Sequence, residues 1–159
     1  MATTDLLVQL LRTLEFSPAM YLAESGIWSY PGDEALKSAL ADLVGDQKSI
    51  SARAGAILEN REVSLPRVAY PLSYTAWHDL DLRYLMTRVI DRLRGQAAEC
   101  DALAAAAGDD AAAAELATEA MHSARRHADA LEQSVARLRS GLQGAAPAGT
   151  GSVTPSTAS

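Results

Sequence analysis

Apolar residues recur at alternating three- and four-residue steps through four long stretches of this chain, and glycine and proline interrupt them at only a few places. That spacing lines one face of an α-helix, whereas a half-buried strand needs strict alternation, of which there is no convincing run. The chain is therefore expected to be all-α. The first seam is Leu7, Leu11, Leu14, Pro18 and Tyr21; the second is Leu36, Leu40, Leu43, Gln47, Ile50, Ala54 and Ile57. The third is Leu82, Met86, Val89, Leu93, Gln96, Cys100 and Leu103, and the fourth Ala114, Ala117, Met121, Ala124, Ala128, Leu131, Val135 and Leu138. Punctuation predicts helices over about 4–26, 33–61, 74–107 and 110–140, with Asp33 capping the second and Gly108-Asp109-Asp110 making a tight hairpin between the last two. Four such helices predict an antiparallel up-down-up-down four-helix bundle spanning residues 1–140, with small alanines on the fourth helix admitting the bulkier third. Residues 141–159 have no charge, little apolar bulk and much Gly, Pro, Ser and Thr, so this tail is expected to be disordered.

At 159 residues the chain has the length of one domain, and its 48% hydrophobic residues contain no run of the roughly 20 needed to cross a bilayer, so no membrane span is expected. A net charge of -6 has the wrong sign for a nucleic-acid or anionic-membrane footprint. The start MATTDLLVQLLRTLE places Asp5 where a secretory leader carries positive charge, and the single cysteine, Cys100, excludes internal disulfides and thiolate clusters. A cytoplasmic location is the expectation these features give.

The lengths and order of the helices, with the segments LLRTLEFSPAMYLAES and HSARRHADALE, resemble the ferritin-like superfamily in the rubrerythrin-like style of small bacterial bundles, over about residues 4–140. The resemblance implies a di-iron or di-manganese centre at mid-bundle, held by one carboxylate from each of two helices and a Glu-x-x-His from each of the other two. On an up-down-up-down path the same level passes near Glu15, Asp46-Gln47, Arg88 to Asp91 and Ala124 to His127. Glu15 fits. The second helix offers Gln47-Lys48-Ser49-Ile50 where Glu-x-x-His belongs, the third turns Asp91 away while Met86 and Val89 hold the core face, and the fourth retains only His127 of its pair. The di-metal motif therefore reads as degenerate.

The one Glu-x-x-His in the chain, Glu119-Ala120-Met121-His122, lies roughly 140–160° from the apolar stripe of its helix and is expected to face water. His122 and His127 are five residues apart and point apart, so they cannot share one ion with His78. Gln47 and Gln96 are the polar residues left on core faces; a buried amide of this kind is expected to be satisfied by a hydrogen bond that fixes helix register, as Gln47 facing Glu15 or His127 would be. Pro18 is expected to bend the first helix one turn after Glu15. The acidic residues of His78-Asp79-Leu80-Asp81 fit the dipole at a helix start. Cys100 on an apolar seam behaves as a small hydrophobe, and no phosphate loop or nucleophile elbow occurs. Tyr70, Tyr74, Trp77 and Tyr84, with Trp28 and Tyr30, are expected to close one bundle end or to form a contact between subunits.

Two functional classes remain. The first is a ferritin-like bundle lacking a complete di-iron site, a non-catalytic scaffold or interaction protein without a cofactor, engaging a homo-oligomer or a protein partner. The second is an iron- or manganese-dependent oxidoreductase or iron-handling protein whose reduced ligand set is Glu15, His127 and Asp46 or Gln47. Only one clear carboxylate faces the seam, too few to balance two metal ions. A third idea makes the tail a docking peptide.

Overall fold

A proline inside the first apolar stretch decides where the first helix stops. In the computed structural model of the protein, which describes residues 2–25, 34–67, 69–79 and 82–144, α1 spans Thr3–Glu15 and α2 spans Pro18–Ser25. The sequence predicts one bent helix over 4–26; the chain instead breaks at Phe16 and Ser17 and starts again. Pro18 lacks the N–H that would reach the Leu14 carbonyl, and its ring would crowd that carbonyl inside a helix; at the first helical position neither defect matters. Ser17, buried just ahead of it, accepts the Met20 N–H on its hydroxyl at 3.3 Å and so caps α2.

The longer helices are α3 (Glu34–Asn60), α4 (Leu82–Ala106) and α5 (Ala111–Gly144), with a 3₁₀ helix over Leu72–Asp79. The described residues are all-helical and contain no strand. None of these helices is long and apolar enough to cross a membrane. The third helix, expected from residue 74, begins at Leu82, because the segment after Pro71 winds as 3₁₀, the Tyr74 N–H donating to the Pro71 carbonyl at 3.0 Å. Helix α5 runs four residues past its expected end at 140. Asp33, Trp28, Tyr30 and tail residues 145–159, for which a cap, an aromatic closure and disorder are expected, lie outside the described residues. The hairpin between α4 and α5 forms as its sequence dictates. Gly108 takes φ +56°, and Asp110 accepts the Ala113 N–H at 3.2 Å to cap α5.

Helix directions follow from which residues meet. Along α3 and α5 the pairs are Arg61 with Asp110, Arg53 with Glu119 and Asp46 with His127, so one number rises as the other falls and the helices are antiparallel. Helices α4 and α5 are also antiparallel, joined by the Gly108 turn and paired through Arg94 with Asp129 and Glu132. Hence α3 and α4 run in the same direction. On the first helices Thr13 reaches Glu99, whereas Ser17 joins Gln96 through Gln47, which sets them antiparallel to α4. The alternating up-down-up-down path is therefore corrected: the order is up, down, down, up. The physical reason is the connection over residues 61–81. A short loop forces antiparallel neighbours, but about 20 residues can span roughly 60–70 Å when extended. Helix α3, with 27 residues, is only about 40 Å long.

The core fills the space between α1, α3, α4 and α5. Leu7, Leu14, Leu36, Leu40, Leu43, Met86 and Leu93 are buried almost completely, each worth roughly 1.5–3 kcal/mol of transfer from water. Helix α5 offers Ala117, Ala124 and Ala128 to this core, and it packs most extensively on α4.

Candidate functional site

The antiparallel turn at Gly108 and the long crossover together set which residues share a level at mid-bundle. Because α4 runs parallel to α3, Gln47 sits opposite Gln96 and not opposite residues 88–91. The Ser17 hydroxyl donates to Gln47 Oε1 at 2.7 Å, and Gln47 Nε2 donates to Gln96 Oε1 at 3.3 Å. All three side chains are buried, at 2%, 2% and 1% exposure. A neutral hydrogen-bonded chain thus crosses from the start of α2 through α3 to α4. Gln47 finds partners in Ser17 and Gln96, and neither Glu15 nor His127 takes that place. Such a chain satisfies its buried polar groups and fixes the relative heights of three helices.

The three residues singled out as metal ligands are divided between two grooves. Asp46 and His127 meet across α3 and α5, with Nε2 to Oδ2 at 2.6 Å, and Arg126 lies 3.6 Å from the same carboxylate oxygen. Glu15 lies in a different groove, between the first helices and α3, beside Lys48 and Ser51. Burial raises the Glu15 carboxyl above its ordinary value. Asp46 and Lys48 are two residues apart on α3, roughly 200° around the helix, so the groove holding Glu15 and the seam holding His127 lie on different sides of α3. Among the described residues no three His, Cys, Asp or Glu side chains converge as a metal ion would need.

The other candidates fall where helical phase puts them. Glu119 and His122 are exposed, and Glu119 pairs with Arg53 at 2.6 Å. Asp91 is exposed as well. The orientation of the His78 side chain lies outside what the structure describes. Cys100 is buried, and burial first, with the Glu99 charge adding to it, pushes its thiol up to about 12. At neutral pH it carries no thiolate, so nucleophilic chemistry has no agent there.

Two features escape the sequence reading. Glu99 lies near the level of the amide chain, where it takes two hydrogen bonds from Arg92 at 2.8 and 3.3 Å and one from Thr13 at 3.4 Å. Reading α4 in the parallel direction would have found it. The aromatic cluster gathers Tyr70, Tyr74 and Trp77 on Tyr21 of α2, with Tyr74 and Trp77 stacked at 4.2 Å. Tyr84 is not part of it; that ring is 47% exposed and holds Arg88 through its hydroxyl at 2.9 Å. The Tyr74 hydroxyl donates to the Phe16 carbonyl at 3.3 Å and so anchors the crossover on the break between α1 and α2. Tyr70 is held protonated first by burial and then by the Glu24 and Glu15 carboxylates.

A di-iron or di-manganese centre does not fit this donor set. Two divalent ions need several converging carboxylates to balance their charge, and the waist supplies a hydroxyl and two amides. Compared with known proteins, the chain matches no family model, no curated protein and no solved structure.

Proposed function

We propose that this protein is a ferritin-like four-helix bundle whose mid-bundle metal centre has been replaced by the Ser17–Gln47–Gln96 chain. In this reading it works as a non-catalytic scaffold or interaction protein. The ferritin-like part is supported by the up, down, down, up order, because one long crossover between the second and third main helices is the connectivity that distinguishes ferritin-like bundles from alternating ones. The non-catalytic part is carried by one observation: the positions that would aim ligands at the centre carry neutral side chains that satisfy one another. The contact surface is the crossover, where Leu72 is 87% exposed and Leu65 42%, and a second copy or another protein is its occupant.

The rival reading, an iron- or manganese-dependent oxidoreductase, draws on the 2.6 Å contact of Asp46 with His127. It needs Glu15 to join them, and α3 stands between. Metal analysis of untagged protein grown with excess iron and manganese separates the two. Substoichiometric metal, unchanged in a Glu15→Ala variant, is the expected result; two equivalents that disappear with Glu15→Ala or His127→Ala would overturn the proposal. Sedimentation across a concentration range tests self-association, and a strictly monomeric species at every concentration would leave a different protein as the partner.

A further inference from the structure

The face that α4 and α5 turn to solvent is complementary to itself. On α4, Tyr84, Arg88, Asp91 and Gly95 recur at steps of four, three and four residues, so they form one stripe, and all four are exposed. Between α4 and α5 lies an open groove of about 380 Å³, with Ile90 and Val135 at its floor and Asp91, Glu132 and Arg139 on its rim. Tyr84 is the one exposed aromatic residue among those described. The Arg88 guanidinium stands 5.5 Å over its ring as well as bonding its hydroxyl, so the two side chains hold each other in place. Tyrosine and arginine are the residue types that anchor protein contacts, and prior ordering lowers the entropy cost of making one.

Three pairings with a second copy share one two-fold axis. In an isologous contact residue i of one copy meets j of the other and j meets i, so when a helix packs antiparallel on its own copy every pair is centred on the axis. Arg88 with Asp91 and Tyr84 with Gly95 are both centred beside Ile90 on α4, and Glu132 with Arg139 is centred beside Val135 on α5. Ile90 and Val135 line the same groove, so a single axis over that groove serves all three pairs. Arg94, which meets Asp129 and Glu132, shows the same relation of levels between α4 and α5. Two of the pairs join opposite charges. Glu132 already holds Arg94 at 2.7 Å and, half-exposed, keeps acceptor positions for a second guanidinium. The third pair sets a ring over a residue with no side chain: a Cβ at Gly95 would meet only Arg92 Nη1, at 3.8 Å, so the space above it is open.

We propose that this protein forms an isologous dimer through the α4–α5 face, with α4 antiparallel on the partner's α4 and α5 on the partner's α5. Arg88 meets the partner's Asp91, Glu132 meets the partner's Arg139, and Tyr84 covers the partner's Gly95. The groove over Ile90 and Val135 is thereby closed to water, while the charge pairs at its rim fix the register of the two copies. The contact uses neither the exposed leucines of the crossover nor the Ser17–Gln47–Gln96 chain, so its failure leaves the scaffold reading as it stands.

Sedimentation velocity of the full chain across a concentration range tests it, with circular dichroism to show that each variant keeps its helices. The unsubstituted chain should dimerise. Arg88→Glu and Asp91→Arg each set like charges face to face at two places, and each should raise the dimer dissociation constant about tenfold or more. Mixing these two variants in equal amounts should restore a dimer, because both charge pairs are opposite in sign again across a mixed pair. Tyr84→Ala should weaken association severalfold. A monomer at every concentration up to about 1 mM, a dimer indifferent to both charge variants, or a mixture no more associated than its components would each overturn the proposal. A dimer broken by Leu72→Ser and unaffected by Arg88→Glu would overturn it too, in favour of a contact through the crossover.

Discussion

Asp46 and Gln47 are neighbours on α3, yet the contacts they make obey different energetics. Gln47 faces inward, where water is absent and each hydrogen-bonding group must find its partner within the protein. Asp46 faces α5 at the surface, where it belongs to a ladder with Arg53–Glu119 and Arg61–Asp110, in which Asp46, Arg53 and Glu119 are half-exposed. The inner chain is neutral and fully desolvated; the outer ladder is charged and screened. A catalytic metal bundle instead carries its carboxylates and imidazoles inward at the centre. The comparison teaches that position on the helix, and not the supply of carboxylates and histidines in the chain, decides whether a waist can hold metal.

The largest effect is expected from Gln47→Leu. It leaves the Ser17 hydroxyl and the Gln96 carbonyl oxygen without the partner each now has, and urea unfolding should register a loss of about 2 kcal/mol. Asp110→Ala comes next. It removes the cap on α5 and the two-pronged pair with Arg61 at 2.7 and 3.1 Å, for about 1–1.5 kcal/mol by the same measurement. Arg53→Ala, which breaks the 2.6 Å pair with Glu119 on an open surface, should cost no more than about 0.5 kcal/mol and nothing measurable in 1 M salt. A cost comparable to that of Gln47→Leu would erase the distinction between seam and waist.

Glu15→Gln should give the smallest change and the opposite sign. Burial lifts the folded-state carboxyl above its ordinary value of 4.5, so the ionised form is disfavoured by folding. Above the folded value the wild type carries this penalty; as pH falls through that value and below 4.5 the penalty disappears. The glutamine variant should therefore be slightly the more stable at pH 7, and the difference should shrink towards pH 4, as thermal unfolding at the two pH values would show. A variant less stable at pH 7 would mean that Glu15 has a favourable partner after all.

Much of the fold was legible because it is written locally. The seams on α3 and α4 report the 3.6-residue period, and Leu36, Leu40, Leu43, Met86, Val89 and Leu93 are all buried. Gly108 and Asp110 carry turn and cap chemistry within three residues. The pair Ser17-Pro18 was equally explicit as a cap followed by a first helical residue, but a long apolar period on both sides of it argued for continuity. The direction of α4 was not legible, since residues 61–81 are long enough to return along α3 or to turn back at its end. That one ambiguity moved the expected waist of α4 from Gln96 to Asp91 and hid Glu99. It also concealed the role of Tyr21, which meets the crossover aromatics only because the chain returns past α2.

The central claim, that a neutral amide tie occupies the waist, is tested most directly by a double-mutant cycle on Gln47 and Gln96, with unfolding free energies measured in urea. Each single leucine substitution should destabilise, and the double substitution should cost less than the sum of the two by a coupling of about 1–2 kcal/mol, the Ser17 hydroxyl still lacking its Gln47 partner. Additive losses with no coupling would contradict the account.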